Sequence, residues 1–556
     1  MLRYALALAV ATPLFWSAQV SAAQVPSSTH QQLVSLFADW RAFNHPSIVQ
    51  GRPDYSAAAM TAKAARLASF QQRLSAIDTS GWNAPQKGDY RLVEAEMNAL
   101  DFFLRVLKPW ARDPTFYATI FPEMSDVPAH EGPSAEPNID LFQYQWPLSK
   151  TDDAHLTELI GAVPALLADA KVNLADSQSH DLWAYGDRAF NEQAEALARL
   201  GAGTLVLNDL GGKRTISLNG ASPKLRAAVA EARASTEQFA QWIRSEAPRR
   251  IGPSGVGKEN YNWYLKHVLL SPYDFDQQQV LLQRELDRSL AALRLEEVRN
   301  RAAPPIAEIS DPAAYRRMAE AKTDKFYHFL VEGGFIADRP YFHSALRGQT
   351  GDYTPPAERN FFTNVTALDP LPLVSHQFHW IELARLKHEP HPSPIRDTPP
   401  LFNIYEDRSE GFATAMEEIA MQAGLYDDIP HGRELVWIML ANRAARGLAS
   451  LRVQANEIGL DEAGHFHAGW TPRGWSDAKS KLVGFEQLIY VRQPGYGPSY
   501  IVGKLQLDHL LAVASHRAEL EKRLFDNRTT LAQIYASAIV PPAIIQDEMA
   551  EAGAAR

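Results

Sequence analysis

Residues 88–110 read GDYRLVEAEMNALDFFLRVLKPW, and they show the pattern that recurs through most of the chain. The apolar side chains return every three or four residues, at Tyr90, Val93, Met97, Leu100, Phe103, Leu104 and Leu107. This spacing is typical of an amphipathic helix, because side chains three and four residues apart share one helix face. The stretch therefore predicts a long helix that buries one face against other helices.

The same periodicity predicts many further helices. It is clear at 30–44 and 277–299, and it also indicates helices at 154–172, 183–201, 222–245, 312–332, 409–424, 432–457 and 500–523. Only residues 213–218 (KRTISL) suggest a strand, and the proline-rich stretches 122–147 and 389–400 predict loops. We therefore expect a mainly α protein, a large single helical domain with few short strands.

The N-terminus has the organisation of a secretory signal peptide. Arg3 precedes an apolar run from Tyr4 to Trp16, and small residues at 21–23 offer a cleavage site. We expect residues 1–23 to be removed and residues 24–556 to form one exported domain, periplasmic or secreted. No later stretch approaches the roughly 18 apolar residues that span a bilayer, so we predict no membrane span.

The composition limits the chemistry. The 556 residues include no cysteine, which excludes thiolate metal sites and a cysteine nucleophile, and because no cysteine follows the leader we expect no lipid anchor. The formal net charge is −10 and becomes −11 when Arg3 leaves with the leader. Nucleic-acid binding needs positive side chains that replace counterions, so we expect no nucleic-acid partner. The sequence does not indicate the oligomeric state.

Residues 252–258 (GPSGVGK) look like a phosphate-binding loop without its context. Such a loop needs a Ser or Thr after the lysine, to bind magnesium, and a strand before it. Here Glu259 follows Lys258, and the preceding residues form a poor strand. We interpret the likeness as coincidence. The chain also contains neither an H-E-x-x-H nor a G-x-S-x-G motif.

Two histidines and two glutamates mark the candidate site. Residues 372–385 read as one helix in which His376, His379 and Glu382 follow at steps of three and so share a face. Farther along, Glu410 opens another predicted helix. Two histidines from one helix and a carboxylate from a later one are a common arrangement in zinc hydrolases. Taken alone, the pattern also fits ordinary helix histidines that hydrogen-bond to their neighbours, because zinc needs a fuller ligand set.

Several segments resemble the bacterial family called domain of unknown function 885, regarded as relatives of the gluzincin metallopeptidases. The most specific are EGFA at 410–413 with MQAGLYDD at 421–428, which resemble the family's E-G-W-A helix and the turn after it. QPGYGPSYIVGK at 493–504, GKENY at 257–261 and the Asp113-Pro114 pair resemble three other segments of the family. The resemblance covers most of the mature chain. It implies a helical, peptidase-like domain with a deep cleft and a zinc site.

The metal motif of that family, H-E-x-x-P-G-H-H, is altered in this chain. The first histidine is His376, but Gln377 stands where related zinc peptidases have the general-base glutamate, and the Pro-Gly pair is absent. The next histidine position holds Glu382 without a gap, or His379 with one. A glutamine cannot accept a proton, and loss of a general base costs about a hundred- to ten-thousand-fold in rate.

The resemblance also assigns the remaining roles. Since a carboxylate can replace a histidine as a zinc ligand, the candidate metal ligands are His376, His379, Glu382 and Glu410. Gln377 occupies the position of the base, and Tyr500 is a candidate hydrogen-bond donor to a developing oxyanion. Zinc is thus a candidate cofactor whose presence the sequence leaves open. A second departure follows Arg446, where Ser450 and Gln454 replace an Asp and a His of the family pattern.

Three functions are compatible with these observations. The first is an exported metallopeptidase-fold protein with a degenerate active site, which binds peptide or peptide-like small molecules or catalyses altered chemistry. The second is an active metal-dependent peptidase or hydrolase with a rearranged site, in which Glu406 or Glu382 acts as the base. The third is a non-enzymatic interaction protein of the cell envelope, which predicts no deep pocket near Glu410 and Tyr500.

Overall fold

Helices provide nearly all regular structure in the part of the chain that the computed structural model describes, residues 26–122 and 138–554. The predicted leader, residues 1–23, lies outside the described residues. Strands form two small antiparallel pairs there: β1 (Ile48–Val49) with β2 (Arg52–Pro53), and β3 (Leu205–Asp209) with β4 (Gly212–Ile216). The prediction of a mainly α protein is confirmed, and the strand predicted at 213–218 corresponds to β4.

The N-terminal helices are built around the stretch at 88–110. They are α1 (Pro26–Asn44), α2 (Ala57–Ser75), α3 (Ala84–Phe102) and α4 (Pro109–Arg112). Asn83 caps α3 by accepting a hydrogen bond from the backbone of Gln86, which fixes where the helix begins. The predicted single helix is wrong at its C-terminal end: α3 passes into a π-helical turn and stops at Lys108, because Pro109 cannot donate the next backbone hydrogen bond.

The middle of the chain adds helices α5 to α13. They are α5 (Lys150–Gly161), α6 (Val163–Asn173), α7 (His180–Ala184), α8 (Asp187–Ala202), α9 (Pro223–Glu246), α10 (Lys258–His267), α11 (Phe275–Asn300), α12 (Pro312–Glu332) and α13 (Pro340–Arg347). The helix predicted at 154–172 is in fact the pair α5 and α6. The chain is interrupted at Ala162 because Pro164 cannot continue the hydrogen-bond ladder of the preceding helix.

The C-terminal helices contain the candidate site. They are α14 (Phe361–Leu368), α15 (Leu371–His376), α16 (Phe378–His388), α17 (Pro394–Asp397), α18 (Glu406–Gln422), α19 (Gly432–Gln454), α20 (Leu460–Trp470), α21 (Lys481–Arg492), α22 (Tyr496–Leu520), α23 (Asn527–Ala536) and α24 (Pro542–Ala554). Nearly every residue of α19 is buried, so this helix has neighbours on all sides. It packs against α11, α20 and α22.

The close crossing of α18 and α22 depends on two glycines. A Cβ atom on Gly411 of α18 would lie 2.3 Å from the Cα of Gly503 on α22, and one on Gly503 would lie 1.9 Å from the carbonyl oxygen of Asp407. The two backbones therefore touch, and no side chain fits between them. Both glycines come from the segments that resemble the family motifs, and the contact brings Glu410 beside the first turns of α22.

One hydrophobic cluster extends from Leu33 to Ile545 and joins most of these helices. A contiguous core of this kind is what a single large domain requires. None of the helices in the described ranges is both long enough and apolar enough to cross a membrane.

Candidate metal centre

The helix predicted at 372–385 is broken at Gln377, whose ψ of 11° departs from the α-helical value. His376 therefore ends α15, and His379 lies in the first turn of α16. The prediction that His376, His379 and Glu382 share one face of a continuous helix is wrong for this reason. The break still leaves the two histidines close to each other, with ring centroids 5.0 Å apart and planes at 85°.

His376, His379 and Glu410 form a buried triad of possible metal ligands. Each offers one donor atom, and these atoms all lie within 4.8 Å of one another. The three residues are 8%, 3% and 2% exposed. The structure thus brings together three of the four predicted ligands. Of the two candidates for the second histidine of the motif, His379 and Glu382, it places His379 in the triad. The deep cleft expected above them stays a prediction.

Glu417 contacts the second ring nitrogen of His376, and Arg443 in turn contacts Glu417. Nδ1 of His376 lies 2.8 Å from Oε1 of Glu417, while its Nε2 lies 3.3 Å from Oε2 of Glu410. Arg443 donates from Nη1 to Oε2 of Glu417 at 2.7 Å, and its Nη2 lies 2.6 Å from Oε1. A carboxylate on one ring nitrogen fixes the orientation of a histidine and directs the other nitrogen towards a metal.

Two tyrosines of α22 complete the surroundings. Tyr496 donates a hydrogen bond from its hydroxyl to Oε1 of Glu410 at 2.6 Å. Tyr500 stacks on the imidazole of His376, with centroids 6.2 Å apart and planes at 21°. The guanidinium of Arg446 lies 4.7 Å from the centroid of the Tyr500 ring. The crossing of α18 and α22 places both tyrosines here.

The protonation states of His379 and Glu410 suit metal binding, whereas His376 holds its proton more tightly than an ordinary histidine. Burial, together with the charge on His376, lowers the pKa of His379 to about 3, so at neutral pH its imidazole is neutral, which is the form that binds a metal. Burial alone would favour the neutral acid at Glu410, but interaction with His376 outweighs it and lowers the pKa of Glu410 to about 2. Burial and Arg443 oppose a charge on His376, but Glu410 and Glu417 outweigh them and raise its pKa.

Glu382, the fourth predicted ligand, forms an ion pair with an arginine and is not part of the triad. Arg408, which is fully buried on α18, donates to both of its carboxylate oxygens, with Nη2 at 2.7 Å from Oε1. A buried carboxylate with an arginine on both oxygens has its charge compensated by that arginine. The structure therefore does not place Glu382 in the triad. Gln377, by contrast, directly follows His376, and its Oε1 is buried without a hydrogen-bond partner.

Three residues of the site escaped the sequence analysis: Glu417, Arg443 and Tyr496. A signal existed for two of them. Glu417 is seven residues after Glu410, and Tyr496 is four residues before Tyr500, so each shares a helix face with a predicted site residue. Arg443 has no such signal, because nothing in the sequence tells which face of α19 meets α18.

Other noted segments have structural roles. A Cβ atom on Gly255, in the stretch that looks like a phosphate loop, would lie 2.2 Å from the carbonyl oxygen of Val453, and Lys258 forms an ion pair with Asp276 at 2.5 Å. Gln454 donates from Nε2 to the carbonyl oxygen of Tyr490 at 2.7 Å and ties α19 to α21. These contacts give Gly255, Lys258 and Gln454 structural roles that involve no ligand.

Comparison with known proteins finds similar solved structures. Two solved structures share the fold: a "putative lipoprotein" from Colwellia psychrerythraea (TM-score 0.63, 14% identity, 95% of this chain and 100% of that chain) and a "putative lipoprotein of unknown function" from Shewanella oneidensis (TM-score 0.60, 12% identity, 94% and 98%). At such identities the likeness concerns the fold alone. No curated protein matches the chain significantly.

A family profile gives the assignment. The profile described as "Bacterial protein of unknown function (DUF885)" matches residues 49–329, about half of the 556 residues. The triad lies beyond the matched residues, so the match does not bear on the altered motif. On the strength of that match, the chain belongs to the DUF885 family of bacterial proteins.

Proposed function

We propose that this is an exported metallopeptidase-like protein whose metal centre binds peptide or peptide-like ligands and lacks ordinary hydrolytic activity. The observation that carries the proposal is the triad of His376, His379 and Glu410, whose donor atoms lie within 4.8 Å of one another. Export, to the periplasm or the medium, rests on the signal-peptide pattern of residues 1–23.

The donor set fits zinc. Two imidazoles and one carboxylate are the ligands of a well-known class of catalytic zinc sites, which leave one position open for a ligand. Such donors bind zinc at about 2.0–2.2 Å, so they lie roughly 4 Å apart or less around an ion, and small side-chain rotations close the difference. The carboxylate of Glu417 on His376 adds the outer contact that metal-binding histidines have in general. When bound, zinc supplies a Lewis acid that polarises a carbonyl group.

The residues around the triad favour binding over hydrolysis. Gln377 stands beside His376 in place of a general base, and its amide can donate to or accept from a peptide group but cannot take up a proton. Tyr500, whose ring lies near both His376 and Arg446, is the proposed donor to the carbonyl oxygen of the ligand. Together these residues can orient a peptide group, and none of them replaces the base.

A second candidate function, an active hydrolase, is favoured by Glu406. This residue begins α18 one turn before Glu410, it is fully buried, and neither carboxylate oxygen has a hydrogen-bond partner. Burial, with the charges of Asp407 and Glu410, raises its pKa well above the ordinary value. A carboxyl group with a raised pKa can serve as a general base near neutral pH. Glu382 does not compete for this role, because Arg408 occupies both of its oxygens.

The proposal is tested by elemental analysis of the mature protein (residues 24–556) purified without chelators. We expect about one zinc per chain in the wild type and in His465→Ala, an exposed control on α20, and little in His376→Ala, His379→Ala and Glu410→Ala. No metal in the wild type, or equal metal in the triad variants, would refute the metal centre.

The same preparations separate the two candidates. A peptide library is incubated with the zinc-loaded protein, and both retention and cleavage are measured. Zinc-dependent retention without cleavage supports the binding function. Zinc-dependent cleavage that Glu406→Gln abolishes would replace it with the hydrolase.

A further inference from the structure

A cavity of about 290 Å³ lies on the side of α16 that carries Phe378, Glu382 and Arg385. Helices α13 and α23 and the turn before α13 complete its walls. Most of the surface is apolar, and the side chains responsible are Phe335, Ile336, Phe342, Phe378 and Ile381. His379 belongs to the triad and does not line this cavity, so the two sites use different faces of α16.

Two polar atoms at the cavity are buried without a hydrogen-bond partner: Nη2 of Arg385 and the hydroxyl oxygen of Tyr535. The closest carboxylate to Arg385 is that of Glu382, whose Oε1 lies 3.6 Å from Nη2, beyond hydrogen-bonding distance. Glu382 is already bound to Arg408 through both oxygens. A buried donor on a charged group normally has a partner, so these two atoms indicate a missing acceptor.

The charges that line the cavity are positive in sum. Of its two carboxylates, Glu382 is bound to Arg408, and Glu389 accepts from Arg339 at 2.8 Å. Against these two carboxylates, three arginines line the cavity: Arg339, Arg385 and Arg528. An apolar chamber whose lining has a net positive charge is complementary to an anion that has an apolar body.

We propose that this cavity binds an aliphatic monocarboxylate. The carboxylate accepts hydrogen bonds from Nη2 of Arg385 and the hydroxyl of Tyr535, and the chain lies among the phenylalanine and isoleucine side chains. The volume limits the length of the ligand: at about 30 Å³ for each water-sized group, the cavity holds roughly ten non-hydrogen atoms. Octanoate has that size, and it is the probe that we choose. The inference does not depend on the metal centre.

The test is isothermal titration calorimetry of the mature protein with octanoate and with 1-octanol, which has the same chain and no charge. We expect octanoate to bind at least tenfold more tightly than octanol. Arg385→Met should lower the affinity for octanoate at least tenfold and Tyr535→Phe several-fold, whereas Arg317→Met, an exposed arginine on α12, should leave it unchanged. Equal affinity for octanol, or unchanged affinity in Arg385→Met, would overturn the proposal, and so would the absence of binding at millimolar octanoate.

A second variant protects the test against misfolding. Ala532 lines the cavity and is itself exposed on α23, so Ala532→Phe fills the entrance without changing a buried polar group. We expect this variant to keep the wild-type circular dichroism and melting temperature and to lose octanoate binding. Binding that persists in a folded Ala532→Phe protein would place the ligand elsewhere and refute the assignment.

Discussion

Nδ1 of His376 lies 2.8 Å from Oε1 of Glu417, so Nε2 is the nitrogen that this histidine can offer to a metal. Glu417→Gln should therefore weaken zinc binding about 10- to 100-fold without abolishing it, because the histidine loses its orientation and part of its basicity. Competition with a chromophoric chelator measures the affinity.

The next residue provides a matched control. Glu418 is also held by an arginine, with Oε1 accepting from Arg288 at 2.7 Å, but it makes no contact with His376. Glu418→Gln should leave the zinc affinity unchanged. An equal loss in both variants would mean that the effect of Glu417 comes from general damage to α18 and not from its contact with the histidine.

Replacement of Gln377 by glutamate should restore catalysis if the general base is the main part that the site lacks. In zinc-loaded Gln377→Glu we expect peptide hydrolysis to rise about a hundred- to ten-thousand-fold over the wild type, the usual contribution of a general base. Hydrolysis of a fluorogenic peptide library measures the effect, and Gln72→Glu on α2 is the control for charge. No gain in a variant that still binds one zinc would show that the break at Gln377 has moved this position away from the reacting group.

Glu382 should matter for stability and not for the metal. Removal of one partner of a buried ion pair leaves an uncompensated charge, so Glu382→Gln should lower the free energy of unfolding by about 3–5 kcal/mol. The zinc content per folded chain should equal that of the wild type, because Arg408 already occupies both carboxylate oxygens. Urea unfolding and elemental analysis on one preparation give both numbers. Loss of zinc from the folded variant would return Glu382 to the ligand set.

The contact between α18 and α22 predicts the effect of a single methyl group. In Gly503→Ala the new Cβ would lie 1.9 Å from the carbonyl oxygen of Asp407, so the helices must separate. We expect a loss of about 1–3 kcal/mol in unfolding free energy, typical of overpacking. Gly469→Ala on α20 is the control, because no atom lies within 4 Å of its added Cβ. A neutral Gly503→Ala would mean that the two helices can separate at this crossing without a loss of stability.

The sequence could predict the helices and the segments that form the site, and the reasons are local. Apolar periodicity specifies where α11, α12 and α19 lie, since it follows from 3.6 residues per turn. Two breaks could also be read, because Pro109 and Pro164 remove backbone donors. The break at Gln377 could not, since neither proline nor glycine stands there.

The choice among ligands required tertiary structure. His379 and Glu382 are both on α16, and the sequence cannot tell which of them faces Glu410. The contacts of the two residues distinguish them: Arg408 donates hydrogen bonds to Glu382, whereas His379 lies beside His376. Glu417 and Arg443 become part of the site only through the way in which α18 and α19 pack, which no spacing along one helix specifies.

Asp407 should make the stability of the metal-free protein depend on pH. Burial, partly offset by a hydrogen bond from Gln506, raises its pKa from 3.8 to about 7. The unfolded chain releases this proton at a lower pH than the native protein does, so the stability that it contributes is fully present at low pH and is lost between about pH 4 and 7.

Asparagine does not titrate, so Asp407→Asn should gain unfolding free energy relative to the wild type as the pH rises. At about 1.36 kcal/mol for each tenfold change in proton affinity, we expect a gain of roughly 3 kcal/mol between pH 5 and pH 8. Urea unfolding of both proteins at the two pH values measures it, and the difference cancels the groups whose titration does not depend on Asp407. A constant difference would mean that Asp407 is ionised in the native protein at pH 5, with Gln506 and the start of α18 compensating its charge.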